Sequence, residues 1–194
     1  MKPIIALDID GILADFTSAA IASCKQWFGR ELPPPTHAGW PWTEIPDHLH
    51  ENFRYIIQSD VFSLRLAPLP WAGDILGAAA DNSRQVVFIT ARHQKTREVT
   101  ELWLKRLGVY QPTVLYTAVD LPAKGALAVA AGASVLVEDT LEQCLLAEPW
   151  LPPEGVWLLD RPWNQEADDI IRPRKYRRMM TAGEVVDNLR GRKL

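Results

Sequence analysis

The feature that most constrains this chain is an alternation that begins near Pro70. Short apolar runs are separated by segments with helical periodicity. Gln85–Thr90 (Gln-Val-Val-Phe-Ile-Thr), Thr113–Tyr116, Ser134–Glu138 (Ser-Val-Leu-Val-Glu) and Gly155–Leu159 read as strands. Between and around them, helices are expected at about 70–80, 95–107, 123–131, 141–147 and 182–190. The helix over 95–107 shows the pattern well, with Val99, Leu102, Trp103 and Leu107 on one face and Gly108 behind it. At the start of the chain, Lys2–Ile9 (Lys-Pro-Ile-Ile-Ala-Leu-Asp-Ile) is another apolar run, too continuous for a strand with one wet face. Strands apolar on both sides, each followed by a helix, predict an α/β fold. The expectation is a Rossmann-like parallel sheet with helices on both faces.

One stretch breaks the alternation. Phe16, Ala20, Cys24, Trp27 and Phe28 recur at helical spacing, and Gly29 is placed to end that helix. Residues 30–46 are rich in Pro and Trp and read as irregular. His48 to Phe62 reads as a helix with Phe53, Ile56 and Ile57 as its apolar stripe. The span is too long for a simple crossover, so residues 15–70 are expected to form a helical insertion over the sheet. Residues 1–14 and 71–194 then make the core.

Composition narrows the class. With 194 residues, 47% hydrophobic and 23% charged, the chain can bury a core without a staple, and disordered, collagen-like and coiled-coil classes are excluded. No apolar run approaches the roughly 18 residues of a membrane span. Met1–Ile9 is too short for a signal peptide and is interrupted by Asp8. Cys24 and Cys144 are far apart with no CxxC, so a reducing, cytoplasmic setting is expected. A net charge of -3 argues against general nucleic-acid binding. Arg172, Arg174, Lys175, Arg177 and Arg178 read as a solvated face rather than a polynucleotide contact. No membrane partner is expected, and a homodimer stays compatible with the composition.

In open parallel sheets, ligands bind at the carboxyl ends of the strands. Here the first strand ends in Asp8-Ile9-Asp10-Gly11, the second in Thr90-Ala91-Arg92, and a later one in Glu138-Asp139-Thr140, with Lys124 opening the helix before it. A single strand-end Asp or Thr is ordinarily a helix cap, and a lone Lys at a helix start is ordinarily solvated. Asp8, however, belongs to the apolar run itself, and the whole set stands in order along one sheet edge. Arg92 reads as a surface residue. Competing motifs fail. The residues at the sixth and twelfth positions of an EF-hand loop beginning at Asp8 are Leu13 and Ala19. Neither a Walker loop nor a dinucleotide-binding GxGxxG follows a strand.

Carboxylates at adjacent strand ends attract a hard divalent cation, and magnesium suits sites with few carboxylates that also bind phosphate. Lys124 adds charge against a phosphate. A carboxylate can serve as a covalent nucleophile, and Asp10, on the same side of an extended strand as Asp8, is placed to exchange protons. A receiver-like domain phosphorylated on Asp also combines acids, a Thr and a Lys. The large insertion after the first strand, and the Lys preceding the last acid pair, count against it.

These residues resemble the haloacid dehalogenase-like phosphatase superfamily. Its first motif, D-x-D-G-x-x-x-D/T, matches Asp8 to Asp15; its second matches the strand ending in Thr90; Lys124 matches the third and Glu138-Asp139 the fourth. The resemblance implies that Asp8 is the nucleophile and a magnesium ligand. It implies that Asp10 is the general acid/base and a ligand through its carbonyl, and that Asp139 is the other direct ligand, with Glu138 behind it. Thr90, Ala91 and Lys124 would bind phosphate, and residues 15–70 would be a cap of the C1 type. The segment Asp8 to Phe16 is similar to the start of 5'(3')-deoxyribonucleotidases. That likeness implies a small phosphorylated substrate, a nucleoside 5'-monophosphate, with Phe16, Phe62, Trp40 and Trp42 as candidate substrate contacts. A related protein that binds without catalysis is the remaining alternative.

Overall fold

The computed structural model describes residues 4–35, 45–81, 84–117, 124–169 and 176–191. Strands β1 (Ile4–Leu7), β2 (Gln85–Thr90), β3 (Thr113–Tyr116), β4 (Ala133–Glu138), β5 (Val156–Leu159) and β6 (Tyr176–Met179) form one sheet in the order β3-β2-β1-β4-β5-β6. Each neighbouring pair is parallel. The pleat divides the apolar runs between two layers. Ile5, Leu7, Phe88, Val135, Val137 and Trp157 face the layer that contains α4 (Ala72–Ala80), α5 (Arg97–Arg106) and α8 (Ala182–Gly191). Ala6, Val87, Ile89, Leu136, Val156 and Leu158 face α6 (Lys124–Ala130) and α7 (Leu141–Ala147). Both faces are therefore dry at β1, β4 and β5, which is why those strands carry no alternation of polar residues.

Between β1 and α4 the chain forms α1 (Phe16–Phe28), α2 (His50–Ile57) and α3 (Asp60–Arg65). Asp15 caps α1 by accepting the Ser18 N–H at 3.2 Å, and Gly29 ends it in the left-handed conformation at φ 64°. The outgoing and returning chains run side by side: Asp15 N–H donates to the Ala67 carbonyl at 2.9 Å, and Leu69 N–H to that of Leu13 at 2.8 Å. The apolar faces of these helices join the core layer, with Ala20, Cys24, Phe53, Ile56 and Phe62 buried in it.

Two differences from the sequence reading stand out. The helix expected over His48–Phe62 is broken, because the Ser59 hydroxyl accepts the Phe62 N–H at 3.3 Å and caps a new helix. The basic run contributes β6, an edge strand; Arg177 is exposed, whereas Arg178 is half-buried and paired with Asp160. Arg172, Arg174 and Lys175 lie outside the described residues, as do Trp40 and Trp42. Of the other Trp residues, Trp103 donates to the Leu66 carbonyl at 2.8 Å and Trp157 to that of Glu154 at 2.9 Å, so both bury their rings with the indole N–H satisfied. No described helix is long and apolar enough to cross a membrane.

Candidate active site

The chain leaves β1 toward β2 on one side, and later places β4 on the other. That reversal opens a crevice at the carboxyl ends of β1 and β4, where ligands bind in folds of this kind. Asp8 follows β1 directly. Its N–H continues the ladder by donating to the Val137 carbonyl at 2.9 Å, and its side chain is buried. Glu138 is the last residue of β4 and is completely buried. Lys124, the first residue of α6, reaches between them. Its Nζ lies 2.8 Å from Asp8 Oδ1 and 2.8 Å from Glu138 Oε2. The other Glu138 oxygen accepts the N–H groups of Asp139 at 3.2 Å and Thr140 at 3.1 Å. Glu138 thus anchors the lysine and shapes the turn that carries Asp139.

Oxygen atoms of Asp8, Glu138 and Asp139 lie within 4.8 Å of one another. Three buried carboxylates face a single ammonium, and the imbalance has consequences. Burial, reinforced by the Glu138 charge, pushes Asp8 up to about 8 despite the attraction of Lys124. Burial and the charges of Glu138 and Asp8 push Asp139 well above the carboxylate range. Burial works against the Lys124 charge, but Asp8 and Glu138 outweigh it and hold the ammonium above its usual range. An all-oxygen donor set short of positive charge is the chemistry a hard divalent cation fits. The backbone also makes room for the Asp139 carboxylate. Gly11 has φ +81°, and a Cβ there would stand 1.8 Å from Asp139 Oδ2; only glycine permits both the backbone and the approach.

Asp10 is less enclosed, its side chain 23% exposed. Arg92 grips it side-on, Nε donating to Oδ2 at 2.9 Å and a terminal nitrogen to Oδ1 at 2.7 Å. The expectation of a surface Arg92 is therefore corrected. The residue is 8% exposed, because the parallel pairing of β1 and β2 sets the loop after Thr90 beside the loop after Leu7. Thr90 is fully buried, and its hydroxyl oxygen accepts the Arg92 N–H at 3.1 Å, while Ala91 is exposed in the cavity wall.

The cavity has a volume of about 330 Å³. Asp8, Asp10, Lys124 and Asp139 form its charged wall, and Phe16, Pro35, Phe53 and Ile57 an apolar one. Phe16 also packs edge-on against Phe62, with ring centroids 5.4 Å apart, and against Phe53 at 6.4 Å. Phe62 is buried behind Phe16 and does not line the cavity.

Two residues escaped the sequence reading. For Arg92, its position two residues after the strand-end Thr was the available signal. Asn164 had none. It is buried in the short 3₁₀ turn over Pro162–Asp169, and its amide nitrogen donates at 2.8 Å to the carbonyls of both Asp139 and Leu159. Its oxygen accepts the Arg161 N–H at 3.0 Å and an Arg178 nitrogen at 3.1 Å. One side chain thus ties the acid-bearing turn after β4 to β5 and β6.

The match to a family model over residues 2–177 makes this chain a phosphatase of the haloacid dehalogenase-like hydrolase superfamily, a phosphoric monoester hydrolase, and the sheet order and the acid–lysine cluster at its switch point agree with that class. Solved structures agree at the level of fold. A subfamily IA hydrolase from Geobacter sulfurreducens superposes with a TM-score of 0.58 at 17% identity, over 97% of this chain and 96% of that one. A family hydrolase from Deinococcus radiodurans, with bound phosphate and sodium, gives 0.63 at 11% identity, covering 95% and 93%. The D,D-heptose 1,7-bisphosphate phosphatase from Burkholderia thailandensis gives 0.55 at 11% identity, covering 98% and 100%. The family model of the "5' nucleotidase, deoxy (Pyrimidine), cytosolic type C protein" matches residues 2–177, and the chain belongs to that family. No individual curated protein sequence gives a significant match.

Proposed function

We propose that this chain is a magnesium-dependent phosphatase of nucleoside 5'-monophosphates that works through an aspartyl phosphate on Asp8. The observation that carries the reading is Asp8 itself: a buried carboxylate 2.8 Å from Lys124, in the wall of a cavity that Phe16, Pro35, Phe53 and Ile57 also line. A phosphoryl group belongs at the charged wall and a base at the other.

Asp8, Asp139 and the main-chain carbonyl of Asp10 would hold the cation. When bound, it supplies the positive charge that keeps the buried carboxylates ionised and offsets the phosphoryl charge. Lys124 and the Thr90-Ala91 turn hold the phosphoryl oxygens. An oxygen of Asp8 bonds to phosphorus as the bond to the nucleoside oxygen breaks, and Asp10 gives its proton to that leaving oxygen. Asp10, now a carboxylate, takes a proton from water. The water oxygen bonds to phosphorus, the bond to Asp8 breaks, and phosphate departs. Proton transfer of this kind contributes roughly 10²–10⁴-fold; positioning and charge supply the remainder.

Residues 15–70 act in this reading as a cap that selects the substrate. Support comes from Phe16, Phe53 and Ile57, which these residues contribute to the cavity. The paired chains at residues 13–15 and 67–69 join this region to the sheet.

Phosphate release from a panel of nucleoside 5'-monophosphates, with magnesium or with chelator, tests the proposal. Turnover that needs the metal and vanishes in Asp8→Asn is the expected result. Full turnover in Asp8→Asn, or a long-lived phosphoprotein with no turnover, overturns it.

A further inference from the structure

We propose that Arg92 is a positioning residue for proton transfer: its guanidinium fixes the Asp10 carboxylate in the orientation from which a proton reaches the leaving oxygen. The inference rests on the reading of Asp10 as the general acid/base.

The geometry builds outward from α5. Trp103 is anchored through its indole N–H to the Leu66 carbonyl at 2.8 Å. The Arg92 guanidinium lies 5.5 Å from the centre of the Trp103 ring, and one terminal nitrogen is 3.4 Å from the Thr100 hydroxyl. The Arg92 main chain is held in turn by Thr90. The side chain is therefore fixed, at 8% exposure, before it meets Asp10. It then donates to both carboxylate oxygens, at 2.9 and 2.7 Å. A two-point grip stops the rotation that a single hydrogen bond allows. A carboxylate offers about four lone-pair sites, so this grip leaves places for a proton. Asp10 keeps 23% of its side chain exposed, against 5% for Arg92; both line the cavity, which Arg92 reaches from the β2 side.

The consequence is selective. Arg92 matters to the extent that a step needs the Asp10 proton. Departure of a nucleoside alkoxide needs it; departure of p-nitrophenolate, a stabilised anion, does not. The test is single-turnover release of the alcohol, in magnesium, from a nucleoside 5'-monophosphate and from p-nitrophenyl phosphate.

Arg92→Ala is expected to slow nucleoside release about 100-fold, as a small misplacement of a reacting group does, with little change in KM. Release of p-nitrophenolate is expected to stay near the wild-type rate. Arg92→Lys, which cannot grip both oxygens, should lie between. The double variant Asp10→Asn/Arg92→Ala should be no slower than Asp10→Asn, because the two residues act as one unit. Equal losses with both leaving groups, or additive losses in the double variant, overturn the inference. If Arg92→Ala fails to melt cooperatively, the same comparison in Arg92→Lys and Thr100→Val decides the matter. A wild type inactive on both substrates overturns the reading of the site as well; an active wild type whose variants lose rate without regard to leaving group overturns this inference alone.

Discussion

The two walls of the cavity are built on opposite principles. In the charged wall, Lys124 is tied to two carboxylates and Asp10 to two nitrogens of Arg92, and behind the wall Glu138 is tied to that lysine and to two backbone N–H groups. In the apolar wall, Phe16, Phe53 and Ile57 are held by ring packing and by burial against the layer beneath. Buried charges are tolerated only when paired, and each pairing fixes a geometry. Apolar contacts are non-directional, so that wall can accept different shapes at small cost. In the proposed function, chemistry belongs to the first wall and selectivity to the second.

The sharpest way to break this comparison is Asp8→Asn. It removes the proposed nucleophile while keeping the side-chain shape, and activity is expected to fall by about 10⁴-fold or more with the Phe16 wall intact. Phosphate release and binding of a nucleotide by calorimetry measure the two walls separately. Gly11→Ala comes next. Its Cβ would collide with Asp139 Oδ2, and φ +81° disfavours any side chain, so kcat/KM should drop about 100-fold and the magnesium titration should shift to higher concentration.

Phe16→Ala attacks the other wall. In the proposed function Phe16 stacks on the base, and loss of one stacking ring is worth about 1–3 kcal/mol, so KM for a nucleotide should rise about tenfold, while turnover of glycerol phosphate, which has no base, should hold. An equal loss on both substrates would place Phe16 purely in the packing around Phe53 and Phe62.

The smallest expected effect is on thermal stability. With Asp8 at about 8 in the folded protein against 3.8 ordinarily, the native state keeps a proton that the unfolded chain has lost. This contribution to stability is present below pH 3.8 and is lost as pH rises toward about 8. The Tm of metal-free protein, measured against Asp8→Asn, should therefore fall across that window. Magnesium should remove the fall, and the Tm deficit of Phe16→Ala should show no such pH dependence.

Much of the fold was legible along the chain. β2 and β3 occupy the runs Gln85–Thr90 and Thr113–Tyr116 as read, and α7 spans 141–147. Strands dry on both faces must be continuous apolar runs, so their limits are written locally. β6 was not legible: Tyr-Arg-Arg-Met carries two arginines, and its place at the sheet edge follows from pairing with β5. The break at Ser59 was missed because the apolar stripe continues across it, although the Ser-Asp pair is a helix start.

The sequence by itself determined the parallel sheet and the acids at its strand ends, because periodicity and strand termini are properties of neighbouring residues. The partners of those acids were decided by tertiary structure alone. Arg92 meets Asp10 across 82 residues, and Asn164 meets the Asp139 carbonyl across 25. Lys124 stands between Asp8 and Glu138 only because the strand order sets β1 beside β4. No local pattern encodes such distances. They follow from how the sheet is threaded, and that threading minimises exposed apolar surface over the whole chain at once.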